Sequence, residues 1–178
     1  MLGCSLLGIE NPRADGWRKK LMVFVEIDRC ATDAIQSVTG CSMGKRTLKF
    51  RDFGINAATF LNLASGEAYR IVSTEESRTL ADRYAPEESD PTQRQLLGYQ
   101  QMPDNELFQV QAGSVQLEEW DMPGPARKKV ACGSCGQIVR DGKEVIQEGI
   151  PLCRPCSSTG YFEAVDLGER RQLAGQRC

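Results

Sequence analysis

The arrangement of four cysteines near the end of the sequence constrains this chain more than any other feature. They occur as two close pairs, CGSCG and CRPC, with the spacing C-x2-C-x17-C-x2-C. Two such pairs supply the four thiolates of a closed tetrahedral zinc shell, with Zn–S bonds of about 2.3 Å. Two disulfides or a rubredoxin-like iron site are the alternatives. We predict a structural zinc site, because four protein ligands leave no open position for a substrate. Its ligands would be Cys132, Cys135, Cys153 and Cys156.

The residues around these cysteines have the size and pattern of a small metal-dependent module. Between the two pairs, the segment QIVRDGKEVIQ predicts a β-hairpin with Asp141-Gly142 in its turn. The module has roughly 40 residues, which is near the size below which a domain generally needs a metal or disulfides to fold. A cysteine knuckle, a hairpin and a second cysteine pair resemble a treble-clef zinc finger.

The segment MPGP at residues 122–125 predicts a domain boundary. A core domain would occupy residues 1–125, and the zinc-finger module and its tail would occupy residues 126–178. Residues 1–125 contain 13 Lys and Arg against 18 Asp and Glu, whereas residues 126–178 contain 9 against 6. A basic module can bind nucleic acid, but four thiolates around one divalent ion leave negative charge for nearby cations to balance. Aromatic residues are also sparse, so we do not expect nucleic acid as a partner.

Missing segments and residue types narrow the choice further. No stretch approaches the roughly 18 consecutive apolar residues of a membrane span, and we expect a cytoplasmic protein without a membrane partner. In that reducing compartment, eight cysteines indicate metal or redox chemistry rather than a disulfide framework. The chain contains no histidine, so no imidazole is available as a general base or as a metal ligand.

The core domain mixes predicted strands and helices, which indicates a mixed α+β fold. Leu21–Ile27 is a nearly continuous apolar run of strand length. Asp90 and Pro91 predict the N-cap and first position of a helix that runs to about residue 102. Further helices are predicted at residues 1–10, 31–38 and 74–84, and strands at residues 47–50, 57–62, 68–72 and 107–117.

Two more cysteines bracket a predicted short helix, CATDAIQSVTGC, which Gly40 ends. On a continuous helix, Cys30 and Cys41 would share a face but lie about 16 Å apart. They could therefore share a metal or a disulfide only if the chain turned back near Gly40. Cys30 and Asp33 are neighbours at positions i and i+3, and Val38 is expected to face the core. The alternative is that both cysteines are small apolar residues of the core.

This stretch resembles the core signature of the FmdE family of formylmethanofuran dehydrogenase subunits. The similarity continues through NLASGEAYRI and PDNELFQVQ and covers most of residues 20–156. It implies an α+β core domain with an appended treble-clef finger, a homodimer, and a role connected to the molybdenum or tungsten enzyme that fixes carbon dioxide onto methanofuran. The string that carries the resemblance is Cys30-x2-Asp33-Ala34-Ile35-Gln36-x2-Thr39-Gly40-Cys41-Ser42-x-Gly44-Lys45, followed by Leu48, Phe50, Asp52 and Gly54.

One motif of that family is missing from this sequence. The family's core domain begins with a His-Gly-His-x-Cys-Pro-Gly motif ahead of its first helix, and this chain opens within what resembles that helix. A start inside a longer natural chain would explain the difference, as would a family member that has lost the site. The uncapped apolar beginning favours the first explanation. Without imidazoles, the sequence does not support a second metal in the core domain.

The resemblance nominates a pocket in the core domain, but the sequence assigns no reaction to it. In an intact family member, Cys30 or Cys41 would act as a metal ligand or a reactive thiolate, Lys45 would hold an anionic group, and Asp33 would orient a ligand. Two functions stay open: an accessory or associated subunit of formylmethanofuran dehydrogenase in one-carbon metabolism, and a zinc-finger interaction or regulatory protein with a non-catalytic core. The predicted pocket residues are Cys30, Asp33, Gln36, Thr39, Cys41 and Lys45.

Overall fold

A five-stranded mixed sheet forms the centre of the N-terminal part of the chain. The structure is a computed structural model that describes residues 1–158 and 160–162, and the chain divides into two units, Met1–Gly124 and Pro125–Cys178. The strands of the first unit are β1 (Leu21–Val25), β2 (Leu48–Phe50), β3 (Ala57–Asn62), β4 (Ala68–Ser73) and β5 (Phe108–Gly113). Their order in the sheet is β2-β1-β3-β4-β5, and only β1 and β2 are parallel neighbours. The predicted mixed α+β class is confirmed.

The strand β1 is buried along its whole length because both of its faces are covered. Its sequence LMVFV has no polar residue, and all five side chains are buried. Successive side chains of a strand point to opposite faces. Val23 and Val25 therefore join the hydrophobic cluster on one face of the sheet, here called the first face, whereas Met22 and Phe24 join the cluster on the second face. The continuous apolar run predicted this strand correctly.

Helix packing on the first face requires a glycine. The helix α1 (Leu2–Leu6) carries Gly3 directly against the ring of Phe60 in β3. A Cβ atom at Gly3 would lie 2.2 Å from a ring carbon of Phe60, which is far inside van der Waals contact. The absence of a side chain therefore lets α1 approach the sheet, and Cys4, Leu7 and Ile9 complete this part of the cluster.

The second face combines a smaller apolar cluster with an ion pair. Leu61 and Ala68 join the two β1 side chains in this cluster, and Val115 and Leu117 pack over it. The strand predicted at residues 107–117 is therefore too long: the structure has a helix, α5 (Asp104–Leu107), before β5, and β5 ends at residue 113. The chain leaves the sheet there because Val115 and Leu117 bury more apolar surface over the second face than they would along an exposed edge.

Two helices between β4 and β5 form a closely packed pair. They are α3 (Glu76–Tyr84) and α4 (Pro91–Gln101). Asp90 caps α4 as predicted, because its carboxylate accepts a hydrogen bond of 2.8 Å from the backbone N–H of Gln93. Gly98 allows the two helices to touch, since a Cβ atom there would lie 2.4 Å from the carbonyl oxygen of Ala81.

The second unit contains two separate two-stranded sheets and a short helix. These are β6 (Lys129–Ala131) with β7 (Ile138–Arg140), β8 (Val145–Gln147) with β9 (Ile150–Leu152), and α6 (Arg154–Ser157). The hairpin predicted around Asp141-Gly142 is wrong, because β7 pairs backwards with β6 and β8 pairs forwards with β9. The tight turn instead lies at Glu148-Gly149, where both residues have positive φ as a two-residue hairpin loop prefers.

Candidate metal centre

The four cysteines of the second unit converge on one point. Their Sγ atoms all lie within 4.8 Å of one another, and the Sγ atoms of Cys135 and Cys153 are 3.7 Å apart. Four sulfurs placed tetrahedrally at about 2.3 Å from one ion would be separated by about 3.8 Å. All four are free thiols, which argues against the two-disulfide alternative. The geometry and the donor set therefore fit a single tetrahedral metal ion.

Local backbone structure brings each pair of cysteines together. The first pair occupies the turn between β6 and β7, where Gly136 has φ +73° and donates its N–H to the carbonyl oxygen of Cys132 at 2.9 Å. In the second pair, Cys153 is the N-cap of α6 and Cys156 lies inside that helix. A further contact joins the two pairs, because the N–H of Gly133 donates to the carbonyl of Pro151 at 2.8 Å.

Backbone amides and sulfur crowding give the four thiols unequal acidities. Hydrogen bonds from the backbone N–H groups of Cys135 and Cys153 lower the pKa of Cys132 to about 6. At Cys153, the N–H of Cys156 lowers the pKa, but the neighbouring thiols and burial outweigh it and raise the pKa to about 12. The thiols oppose one another's ionisation, as expected where several negative charges would share one small volume. A bound cation is the group that would remove this conflict.

Charged side chains tie the module together outside the four sulfurs. The Lys128 ammonium pairs with the Glu144 carboxylate, and this pairing is the main cause that lowers the pKa of Glu144. Asp141 is buried and its Oδ1 accepts a hydrogen bond of 3.2 Å from the backbone N–H of Arg127. The basic residues counted in the sequence are thus partly engaged with carboxylates of the same module.

The structure does not bring the six predicted pocket residues together. Three of them, Cys30, Asp33 and Gln36, lie on the exposed side of the helix α2 (Cys30–Thr39). Lys45 is also exposed, and its Nζ donates to the carbonyl oxygen of Gly40 at 3.2 Å. The reason is the orientation of α2 on the sheet, which turns the face shared by Cys30 and Asp33 toward solvent.

The remaining two candidates belong to the hydrophobic core. Thr39 and Cys41 are both buried, and the N–H of Cys41 donates to the Thr39 hydroxyl oxygen at 3.1 Å. The Cys41 thiol donates to the carbonyl oxygen of Leu21 at 3.6 Å, and burial raises its pKa. Cys4 is close enough for its thiol to contribute to this electrostatic environment, and burial raises the pKa of Cys4 as well. The sequence did not associate Cys4 with Cys41, because the contact depends on how α1 lies on the sheet.

A separate cavity of about 580 Å³ lies against the first face and holds none of the six candidates. Residues of α1, α2, β3 and β4 line it, and most of them are apolar. Val38 lies at its edge and is 47% exposed, so the expectation that this residue faces the core is wrong. The apolar positions Ala31, Ala34 and Ile35 on α2 are the sequence signal for this cavity.

Within residues 1–158 and 160–162, no helix is long and apolar enough to cross a membrane. A family model described as "FmdE, Molybdenum formylmethanofuran dehydrogenase operon" matches residues 1–109. A probable S-adenosyl-L-methionine-binding protein of Archaeoglobus fulgidus is 25% identical over 183 residues, which cover 94% of this chain and 49% of that protein. This chain thus spans about half the length of that curated relative.

A solved structure is also similar to this chain. It is the crystal structure of an FmdE-like protein, of the tungsten formylmethanofuran dehydrogenase type, from Syntrophus aciditrophicus. The match covers 80% of this chain and 74% of that chain, with 18% sequence identity and a TM-score of 0.48.

Proposed function

The chain belongs to the FmdE family, and we propose that it is a zinc-binding accessory or associated subunit of a molybdenum or tungsten formylmethanofuran dehydrogenase. The observation that carries the zinc assignment is the convergence of four cysteine Sγ atoms within 4.8 Å. Four thiolates in tetrahedral geometry are a preferred donor set for zinc, and they leave no coordination position open for a substrate. When bound, the ion cross-links the two cysteine pairs and has no catalytic part.

The order of elements around the metal centre supports a treble-clef zinc finger. A cysteine knuckle between β6 and β7 comes first, the β8–β9 hairpin follows, and the second cysteine pair stands at the start of α6. The unit is small, and its strands are only three residues long. Its stability would therefore depend on the metal, as in other small metal-dependent modules.

Metal analysis of the purified protein tests the zinc assignment. We expect one zinc per chain by inductively coupled plasma mass spectrometry. Cys135→Ser should lower the zinc content, whereas Cys30→Ser should not, because Cys30 is an exposed thiol of α2 outside the centre. Stoichiometric iron in place of zinc, or a metal-free protein with two disulfides, would refute the assignment.

The proposed link to a formylmethanofuran dehydrogenase rests on the family description. It would place the protein in one-carbon metabolism and in the cytoplasm, where a reducing environment keeps the four thiols available to the metal. Affinity purification of the tagged protein from its native host tests the link. We expect a molybdenum- or tungsten-containing enzyme in the purified material, and its absence under conditions that preserve the zinc would refute this partner.

A second candidate is an interaction or regulatory protein whose core domain has no catalytic part. The observation that favours it is the separation of the predicted pocket residues, since Cys30 is exposed while Cys41 is buried in the core. A partner whose capture depends on Cys135 but not on Cys30, and which contains neither molybdenum nor tungsten, would support this function over the first.

A further inference from the structure

We propose that β5 is a homodimerisation edge: two copies of the chain pair their β5 strands antiparallel about a two-fold axis at Val110. The proposal concerns the core unit only and is independent of the zinc assignment and of the enzyme partner. It rests on the direction of the backbone groups of β5, on its lack of protection, and on the symmetry of its sequence.

Hydrogen bonds at the ends of β4 show which backbone groups of β5 face away from the sheet. The N–H of Ser73 donates to Asn56 at 3.0 Å, on the β3 side of β4, whereas the N–H of Thr74 donates to Leu107 at 3.0 Å, on the β5 side. Antiparallel pairs alternate between bonded and non-bonded partners. Even-numbered residues of β4 therefore bond to β5, and the register pairs them with residues 109, 111 and 113.

The other three residues of β5 direct their backbone groups outward. They are Phe108, Val110 and Ala112, and they pair with the odd-numbered residues of β4 that bond to β3. β5 is the last strand of the five-stranded sheet, so within the described part of the chain these outward groups meet no further strand of that sheet. Three N–H groups and three carbonyl groups are thus aligned along one exposed edge.

The strand itself lacks the features by which monomeric proteins usually block strand addition. Such features are charged side chains, proline, bulges or a covering element. The strand sequence is FQVQAG, which contains neither charge nor proline, and all residues after Phe108 are exposed. Val110 is 44% exposed although its side chain lies on the first face, beside the hydrophobic cluster. An uncharged, open edge of six residues is suited to pairing with another strand.

The sequence of β5 favours a second copy of the same strand. Val110 is flanked by Gln109 and Gln111, so the segment QVQ reads the same in both directions, as an antiparallel two-fold pair requires. With Val110 opposite its own copy, Phe108 stands opposite Ala112 and all outward groups of both strands find partners. The two Val110 side chains then contact across the axis, where cross-strand apolar pairs contribute about 0.2–1 kcal/mol each.

Measurement of molecular mass with matched charge variants tests this arrangement. The wild-type chain should have twice its monomer mass of 19.7 kDa in sedimentation at micromolar concentration. Val110→Lys and Val110→Glu should each be monomeric, because each variant places two like charges opposite one another at the axis. The control is Val38→Lys, which changes a valine of similar exposure on α2 and should leave the dimer intact.

Mixing the two charged variants tests the two-fold register itself. Val110→Lys and Val110→Glu together should restore the dimer mass, since opposite charges then meet across the axis. A monomeric wild-type chain, or a Val110→Lys variant that remains dimeric, would overturn the proposal. So would a mixture that remains monomeric. Unchanged tryptophan fluorescence and zinc content in the variants would show that the loss of dimer is not caused by unfolding, and a zinc-free protein would leave this test unaffected.

Discussion

The ion pair between Glu26 and Arg70 predicts an unequal cost for removing each of its partners. The carboxylate side chain is only 7% exposed, whereas the guanidinium side chain is 30% exposed. Two hydrogen bonds of 2.7 Å join Nε and Nη2 of Arg70 to the two oxygens of Glu26. A third, of 2.9 Å, runs from Nη1 to the Oε1 atom of Gln111. The pair therefore connects the end of β1 to β4 and β5.

Arg70→Met should be the more damaging change, because it leaves a buried carboxylate without its cation. Breaking a fully buried pair costs about 3–5 kcal/mol. The partial exposure of Arg70 lets water reach the site, so we expect about 2–3 kcal/mol of lost unfolding free energy. Glu26→Gln should cost about 1 kcal/mol, because the amide oxygen still accepts one hydrogen bond and the guanidinium can reach water.

Urea unfolding followed by tryptophan fluorescence measures these changes in the core unit alone. Both tryptophans of the chain, Trp17 and Trp120, lie in the first unit, so the second unit contributes no signal. The double variant should be about 1 kcal/mol more stable than Arg70→Met, because the glutamine removes the uncompensated charge. Equal costs for the two single variants would refute the argument, as would a double variant less stable than Arg70→Met.

Three further predictions concern the helix pair, the cysteines of the core and the metal. Gly98→Ala should lower the unfolding free energy in the same fluorescence assay by about 1–3 kcal/mol, because a Cβ atom would meet the Ala81 carbonyl at 2.4 Å; a stabilised variant would show that the helices separate freely. Burial raises the pKa of Cys41 above 9.0, so the core unit should lose stability as pH rises through that value, and iodoacetamide labelling read by mass spectrometry should modify Cys30 far faster than Cys41; equal labelling rates would contradict this. Removal of zinc with a chelator should abolish the dispersed amide signals of the second unit in NMR spectra while tryptophan fluorescence is retained, because metal binding supplies the folding free energy of such modules; unchanged spectra would contradict a structural metal.

The elements that the sequence predicted correctly are those whose signals are local. The run LMVFV has no polar interruption, and strand β1 follows it. Gly40 ends α2 with φ +70°, a left-handed conformation that glycine adopts without steric cost. Asp90 caps α4 through a bond to a residue three positions away. In each case the deciding interaction lies within a few residues of the signal, so no knowledge of the tertiary fold is needed.

The hairpin predicted between the cysteine pairs was wrong because two turn signals compete there. Asp141-Gly142 and Glu148-Gly149 both adopt positive φ angles, and either could close a tight hairpin. The choice depends on the strand before the first cysteine pair, since β6 pairs with β7 and leaves β8 to pair with β9. That pairing is a tertiary contact, which local turn preferences cannot identify.

The predicted pocket shows the same limit from the opposite direction. Helical spacing correctly places Cys30 and Asp33 on one face, but it does not say whether that face meets the sheet or the solvent. The structure exposes both side chains. The position of Cys4 near Cys41 also depends on tertiary packing, because α1 approaches the sheet only through the contact of Gly3 with Phe60. Periodicity therefore groups side chains but does not locate them.

The residues that carry the family resemblance at the end of α2 have a structural explanation. The Thr39 hydroxyl donates to the carbonyl of Ile35 at 2.6 Å and accepts from the N–H of Cys41, which fixes the helix end. The Ser42 N–H donates to the Thr47 hydroxyl oxygen at 3.1 Å, and this bond sets the turn that leads into β2. The segment thus holds α2 against the sheet without presenting its thiol to solvent. Since the core signature is occupied with the fold, the grouped thiols of the second unit are the better place to seek chemistry, and their four-fold closure argues for a structural ion.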